Sequence, residues 1–326
     1  MREAFESYLK NRNYRPERIE KAMLTVKELE QYLRSIGSSS RDMDLNALRG
    51  HLSQLMDQGA NSPDRLLDLA RYFAFSGRSD LFIHLATILN SYEILPLMNQ
   101  RVGEMMGEAK RETIFHGFNM PPLGTSPEEL PPLTQRIIHR MEAELTPEQC
   151  RSILTWNYHE ISKESFSEKK VRFDNAASID EFLKGEHVAL IKDLKECLRA
   201  GRPWYEQEIT QEFVDRVASD QKVQTGVRQG DRIICEKVPF DPKHFYAETN
   251  PMLRRYHYCH CPLVRSAIKA GRPKISPTFC YCSAGFEKTA WDAIFDEPVE
   301  VDVLQTVLGG GERCVFSIKV PDGKLK

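Results

Sequence analysis

The chain has 326 residues, of which 41% are apolar and 28% charged, with 45 Lys and Arg against 47 Asp and Glu and a formal net charge of -2. That length exceeds one ordinary hydrophobic core and implies two domains. The near-neutral balance removes any whole-molecule electrostatic reason to bind nucleic acid or anionic lipid. The first ten residues carry charge throughout and lack a signal-peptide apolar core, and no apolar run of the roughly 20 residues that span a membrane is expected. A cytoplasmic address follows as an expectation, and there the eight cysteines are free or metal-bound rather than paired in structural disulfides.

Residues 1 to about 90 read as helices. After Phe5, Tyr8 and Leu9, the segment from Pro16 carries Ile19, Met23, Val26, Leu29, Leu33 and Ile36 at helical spacing and stops before Gly37. Asp44 heads a helix bearing Leu45, Leu48, Leu52 and Leu55. Ser62-Pro63, a cap followed by proline, heads another that buries Leu66, Leu69, Ala70 and Phe73. Asp80 to Asn90 is apolar on most sides and is expected to be central. The opening Phe-x-x-Tyr-Leu, the long second helix and the Gly-Ala-Asn-Ser turn at residue 59 resemble the SAM-like core-binding domain of tyrosine recombinases over roughly 85 residues. The resemblance implies DNA contact, and Arg12, Arg15, Arg18, Lys21 and Lys27 supply a local surplus of positive charge. Residues 1–100 nevertheless hold 13 Lys and Arg against 13 Asp and Glu, and no recombinase-type catalytic set follows. The simpler expectation is a helical packing or homodimerisation module.

Five prolines fall between Asn119 and Pro132, so the predicted organisation is a helical domain over 1–118, a linker over 119–132 and an α+β domain over 133–326. Thr146-Pro-Glu-Gln149 and Ser178-Ile-Asp-Glu181 are capping boxes, and His187 to Arg199 is an amphipathic helix ending before Gly201. Cys150 and Cys197 lie inside these helices as small core residues. From about residue 225 the period changes. Arg232–Val238 reads as a strand, Leu263–Ala270 and Gly285–Phe295 as helices, and Val299–Val303 and Cys314–Val320 as a hairpin joined at Gly309-Gly-Gly311. The fold class is therefore α+β: an N-terminal all-α bundle followed by an α/β ligand-binding domain with an antiparallel sheet.

The stretch Tyr256 to Phe286 holds half of the cysteines, in Tyr-His-Tyr-Cys259-His-Cys261-Pro and Phe-Cys280-Tyr-Cys282-Ser-Ala-Gly-Phe. Read as two extended strands, each presents alternate side chains on one face, so Cys259, Cys261, Cys280 and Cys282 converge if the strands are neighbours. Four thiolates suit tetrahedral zinc, and a reducing compartment favours metal over disulfide. Cys-x-Cys is rarer than the Cys-x-x-Cys knuckle, so redox or nucleophilic chemistry and inert buried thiols stay open beside metal binding. His257 and His260 are substitute ligands or groups hydrogen-bonded to the ligands. Ten aromatic residues fall between Phe240 and Phe295. Tyr256, Tyr258, Phe279, Tyr281, Phe286 and Trp291 among them are either core or the lining of a pocket for an apolar or aromatic ligand.

The run from Cys280-Tyr-Cys-Ser-Ala-Gly-Phe through Trp291 and Phe295-Asp-Glu-Pro-Val-Glu-Val to Gly-Glu-Arg-Cys314-Val-Phe-Ser-Ile resembles the vinyl-reductase-type domain, a small ligand-binding fold related to haem-NO-binding modules. The wider segment from Thr146 to Pro321 is similar to an uncharacterised bacterial family carrying that domain. The resemblance implies a small hydrophobic ligand and, in sensory members, zinc held by a glutamate and three cysteines, the last matching Cys314. Val303 and Thr306 stand where that glutamate and the middle cysteine would be, so that site is not preserved, and the Cys-x-Cys pairs are an alternative donor set that the resemblance does not itself imply. The alternative is an enzyme, a hydrolase or reductase with Cys259 or Cys280 as nucleophile and His257 or His260 as base. The sequence contains no dinucleotide fingerprint, phosphate loop, Gly-x-Ser-x-Gly or His-Glu-x-x-His.

Overall fold

Cap and proline signals set the N-terminal helices in the computed structural model, which describes residues 1–325. They are α1 (Arg2–Asn11), α2 (Pro16–Ser35), α3 (Leu45–Asp57), α4 (Pro63–Phe75) and α5 (Ser79–Leu89). The Asp44 carboxylate accepts the Ala47 N–H at 2.8 Å, satisfying one of the amides that a helix start leaves without a partner. The predicted stripes are the core: Phe5, Leu9, Val26, Leu29, Leu33, Leu48, Leu52, Leu66, Leu69 and Phe73 are all buried together. Ile36 departs from its stripe and is 49% exposed, because α2 stops at Ser35. Arg18, one of the cations considered for phosphate contact, is instead committed to Asp68. That carboxylate is 1% exposed and is held by Arg18 at 2.9 Å and Arg71 at 3.1 Å.

The chain divides into two units, but not at the proline-rich segment. Residues 1–92 and 120–129 form the first, and residues 93–119 with 130–326 the second. The expected 119–132 linker is thus a strap belonging largely to the first unit. Leu123 joins that unit's core, its carbonyl accepts from Asn61 Nδ2 at 2.7 Å, and Glu128 pairs with Arg49 at 2.9 Å. Prolines prevent helix here, but they do not prevent packing.

A second correction concerns apolar length. Ser79–Met106 is long and apolar enough by composition to cross a membrane, with a mean hydropathy of 1.4 in its most apolar window. The chain folds it as α5 and α6 (Ile94–Met106), parted by the turn at Asn90–Glu93. Leu81, Leu85 and Ile88 are buried in the first unit, while Ile94, Leu95, Met98 and Val102 are buried in the second.

The second unit continues with α7 (Glu108–Phe115), α8 (Pro131–Glu144), α9 (Pro147–Leu154), α10 (Ser167–Asn175), α11 (Ile179–Ala200) and α12 (Gln211–Ser219). The Thr146 capping box forms as expected. At Ser178 the box is shifted: Ser178 accepts the Glu181 N–H, while the Glu181 carboxylate accepts the N–H of Ala177. Cys150 and Cys197 are buried in their helices.

Strands β1 (Val227–Gln229) and β2 (Arg232–Glu236) then precede α13 (Pro242–Ala247), α14 (Pro251–Tyr258), α15 (Arg265–Ala270) and α16 (Tyr281–Phe295), and β3 (Val301–Gln305) and β4 (Val315–Lys319) close the fold. The sheet runs β1-β2-β4-β3, antiparallel throughout, and β3 and β4 form the expected glycine-turn hairpin. One face of the sheet, with Ile233, Cys235, Phe316, Ile318 and Val301, is covered by Ala284, Trp291, Ile294 and Phe295 of α16, together with Phe173 of α10 and Phe182 of α11. Burying side chains of this size contributes roughly 1.5–3 kcal/mol each.

Neither Cys-x-Cys segment is a strand. Tyr256 to Tyr258 ends α14 and Cys259 follows as its C-terminal cap; Pro277–Cys280 is a short 3₁₀ turn that leads directly into α16. Two start signals override the alternating pattern. Asn250-Pro251 begins α14, with the Asn250 side chain accepting from Met252 and Leu253, and Ser276-Pro277 begins the 3₁₀ turn, with Ser276 accepting from Thr278.

Candidate functional site

The residues leaving β2 organise the cysteines. The Lys237 N–H donates to the Cys314 carbonyl at 2.9 Å, and the Lys237 carbonyl accepts the Tyr258 hydroxyl. His260 Nε2 bonds to the Val238 carbonyl at 2.7 Å, and the Phe240 N–H donates to the Tyr258 carbonyl at 3.2 Å. Residues 237–240 are thereby clasped between the start of β4 and the end of α14, which carry Cys314 and Cys259. Lys237 Nζ reaches Ser283 Oγ at 3.0 Å, bringing in the first turn of α16 with Cys282. Gly309, in the β3–β4 turn, rests against Pro277, with a Cβ there 3.4 Å from the proline Cβ, which places the turn beside the segment that carries Cys280.

Five thiols therefore lie in one neighbourhood: Cys259 near Cys261, Cys261 near Cys282, and Cys280 near Cys259, Cys261 and Cys314. Cys259 and Cys282 are buried, and Cys261, Cys280 and Cys314 are half-buried. Burial pushes the thiols of Cys259, Cys261, Cys282 and Cys314 up to about 12, and raises Cys280 as well. Smaller influences oppose it. The Cys261 amide acts on the Cys259 sulfur, those of Leu263 and Val264 on Cys261, and that of Val307 on Cys314, each favouring thiolate. Lys237 acts in the same sense on Cys259, Cys261, Cys282 and Cys314.

Lys237 also faces Glu287 across 3.9 Å, both side chains close to fully buried, and Glu287 Oε1 makes no hydrogen bond. Burial raises the Glu287 carboxyl. Neither Lys237 nor Glu287 carries a motif.

The two histidines separate. His260 stays beside the nest, where burial lowers it to about 3. His257 turns to Asp241, whose Oδ2 lies 3.0 Å from His257 Nδ1 and 2.7 Å from His244 Nδ1, with the two rings stacked at 5.2 Å. Asp241 also caps α13, accepting the His244 N–H at 3.2 Å, and its own N–H donates to the His257 carbonyl at 2.9 Å. Among the described residues, these three are the group of ligating atoms that all lie within 4.8 Å of one another and can hold a metal ion. The thiols are neighbours at longer range.

The six aromatic candidates occupy different surroundings. Tyr258 is fully buried on the Lys237 carbonyl, and Phe279 is 1% exposed. Phe286 is half-exposed between the His159 ring at 5.3 Å and Lys237 Nζ at 5.2 Å. Trp291 stacks on Phe295 in the sheet core, and Tyr281 packs against the same core under the Arg151 guanidinium. Tyr256 lies under Arg265 and Lys269. Phe286 and Tyr258 thus meet at Lys237, whereas Trp291, Tyr281 and Tyr256 do not join them.

A protein-family model described as a family of unknown function (DUF6144) matches residues 241–324, the stretch that begins at Asp241 and contains all five clustered thiols. No curated protein and no solved structure matches the chain.

Proposed function

We propose that the second unit is a metal-dependent binding or sensing module in which thiols of Cys259, Cys261, Cys280 and Cys282 hold a soft cation such as zinc, with Cys314 as a fifth donor within reach. The observation that supports this most directly is the assembly of five cysteines from three separate stretches of chain around Lys237, with backbone amides directed at three of the sulfurs. Amides and a nearby cation stabilise thiolate, which is the form that binds metal. The donor set fits zinc chemically, being soft and partly withdrawn from water; bonds of about 2.3 Å draw sulfurs to within roughly 3.8 Å of one another. The resemblance to vinyl-reductase-type domains makes a small apolar or aromatic molecule the expected ligand.

The enzyme reading is weaker. Thiols held at about 12 are poor nucleophiles at neutral pH. His257 is engaged by Asp241, and His260 donates to a carbonyl and is a weak base.

Metal analysis of protein reconstituted with zinc under reducing conditions tests the proposal. We expect about one equivalent bound through sulfur, lost when Cys261 and Cys282 are both replaced by Ser. Reconstituted protein without sulfur-bound zinc, and with one thiol alkylated far faster than the rest, refutes it in favour of the cysteine enzyme.

A further inference from the structure

We propose that Asp241, His244 and His257 form a second metal site, distinct from the thiols, in which two imidazole nitrogens and one carboxylate oxygen take one side of a divalent transition-metal ion. The inference does not depend on the thiol proposal. Three observations carry it.

The first is convergence. His244 Nδ1 and His257 Nδ1, sixteen and three positions from Asp241 along the chain in reverse order, both point at the same oxygen, Oδ2. With bonds of about 2.1 Å, adjacent ligands stand about 3.0 Å apart on an octahedral ion and about 3.4 Å apart on a tetrahedral one. The 2.7 and 3.0 Å observed are hydrogen-bond separations, within a few tenths of an ångström of the octahedral spacing, so an ion can replace the two bonds with little movement. Two histidines and one carboxylate with further positions open is a donor set suited to ions such as Fe(II), Co(II) and Ni(II).

The second is rigidity. Asp241 is fixed before any ion arrives, because Oδ1 accepts the His244 N–H and its own N–H donates to the His257 carbonyl, tying α13 to the end of α14. The ligands sit on helix ends rather than on a loose loop, which reduces the ordering needed on binding.

The third is that stability does not account for His244. Its side chain is 61% exposed, and the cap of α13 is already made through its backbone. A hydrogen bond from so exposed a ring adds little to stability, whereas exposure on this side leaves the ion's remaining positions to water or a small anionic ligand. For an ion to bind, each ring presents its lone pair at Nδ1 and carries its proton on Nε2.

Co(II) alone is the probe, titrated into the full chain and into Cys259→Ser/Cys261→Ser. We expect two Co(II) ions in the full chain, one with sulfur charge-transfer absorption and one with only weak visible bands, and only the second retained in the serine pair. In His244→Ala and in Asp241→Asn its affinity should fall at least tenfold, with the thermal midpoint of His244→Ala unchanged. Equal affinity in wild type and His244→Ala overturns the site. Should the serine pair fail to fold, substoichiometric Mn(II) added to wild type should broaden the ring signals of His244 and His257 selectively, and broadening of neither overturns it. Absence of sulfur charge transfer from the full chain refutes the thiol proposal and leaves this site standing.

Discussion

Cys259 and His257 stand two residues apart at the end of α14, and their side chains meet opposite environments. The cysteine enters a buried nest where desolvation raises every thiol and Lys237 is the cation acting on four of them. The histidine reaches a partly solvated carboxylate that is already hydrogen-bonded on both oxygens. In the nest, binding a cation must also remove protons from reluctant thiols, so affinity there rises steeply with pH. At Asp241 the two rings already meet the carboxylate through Nδ1, so binding an ion requires each ring to carry its proton on Nε2 instead. The difference teaches that a helix end can send side chains two residues apart into surroundings of opposite polarity.

The comparison can be broken most forcefully at Lys237. Lys237→Ala leaves Glu287 buried without its cation and should destabilise the second unit by about 3 kcal/mol or more in urea denaturation. Lys237→Met combined with Glu287→Met should recover most of that loss. A silent Lys237→Ala would mean that the nest does not depend on its charge.

The next effect is acid lability in the first unit, which separates loss of metal from loss of fold. His51 is 2% exposed, its ring tilted against that of Tyr32 at 5.1 Å, and burial lowers it to about 4. The unfolded chain therefore takes up a proton near pH 6.5 that the folded chain refuses until about pH 4. Stability is complete above pH 6.5 and falls as the pH drops through that window, by about 3 kcal/mol at most. His51→Leu should flatten the decline in a thermal-melt series between those pH values, and an unchanged slope would refute the assignment.

A smaller effect is expected at Gly285. A Cβ there would stand 2.8 Å from the Thr155 carbonyl carbon and the Trp156 oxygen, so Gly285→Ala must push α16 away from the chain after α9. We expect about 2 kcal/mol of destabilisation and, because α16 carries Cys282, faster alkylation of that thiol than in wild type. Smallest of all, His244→Ala should change stability by less than about 1 kcal/mol, sharpening the contrast between a buried nest that supports the fold and a solvent-facing group that does not.

Much of the architecture was legible in the sequence. Asp44, Ser62-Pro63 and Thr146-Pro147 start helices where they were expected, the hydrophobic stripes of α2 to α4 are the core of the first unit, and the glycine turn closes the β3–β4 hairpin. These features are local, set by spacing within a few residues. Tyr256 to Cys261 shows where local reading can mislead: the alternation favoured a strand, while Asn250-Pro251 a turn earlier committed the chain to helix.

What the sequence by itself determined was therefore the capped helix starts, the apolar stripes of the first unit and the antiparallel hairpin. Only the tertiary structure decided that Cys314 joins the thiols, that Lys237 stands among them, that His257 leaves them for Asp241, and that residues 120–129 return to the first unit. The physical reason is that caps, periodicity and turns act through neighbouring backbone, whereas burial, charge and ligand convergence depend on which distant segments share a volume, and no spacing along the chain encodes that.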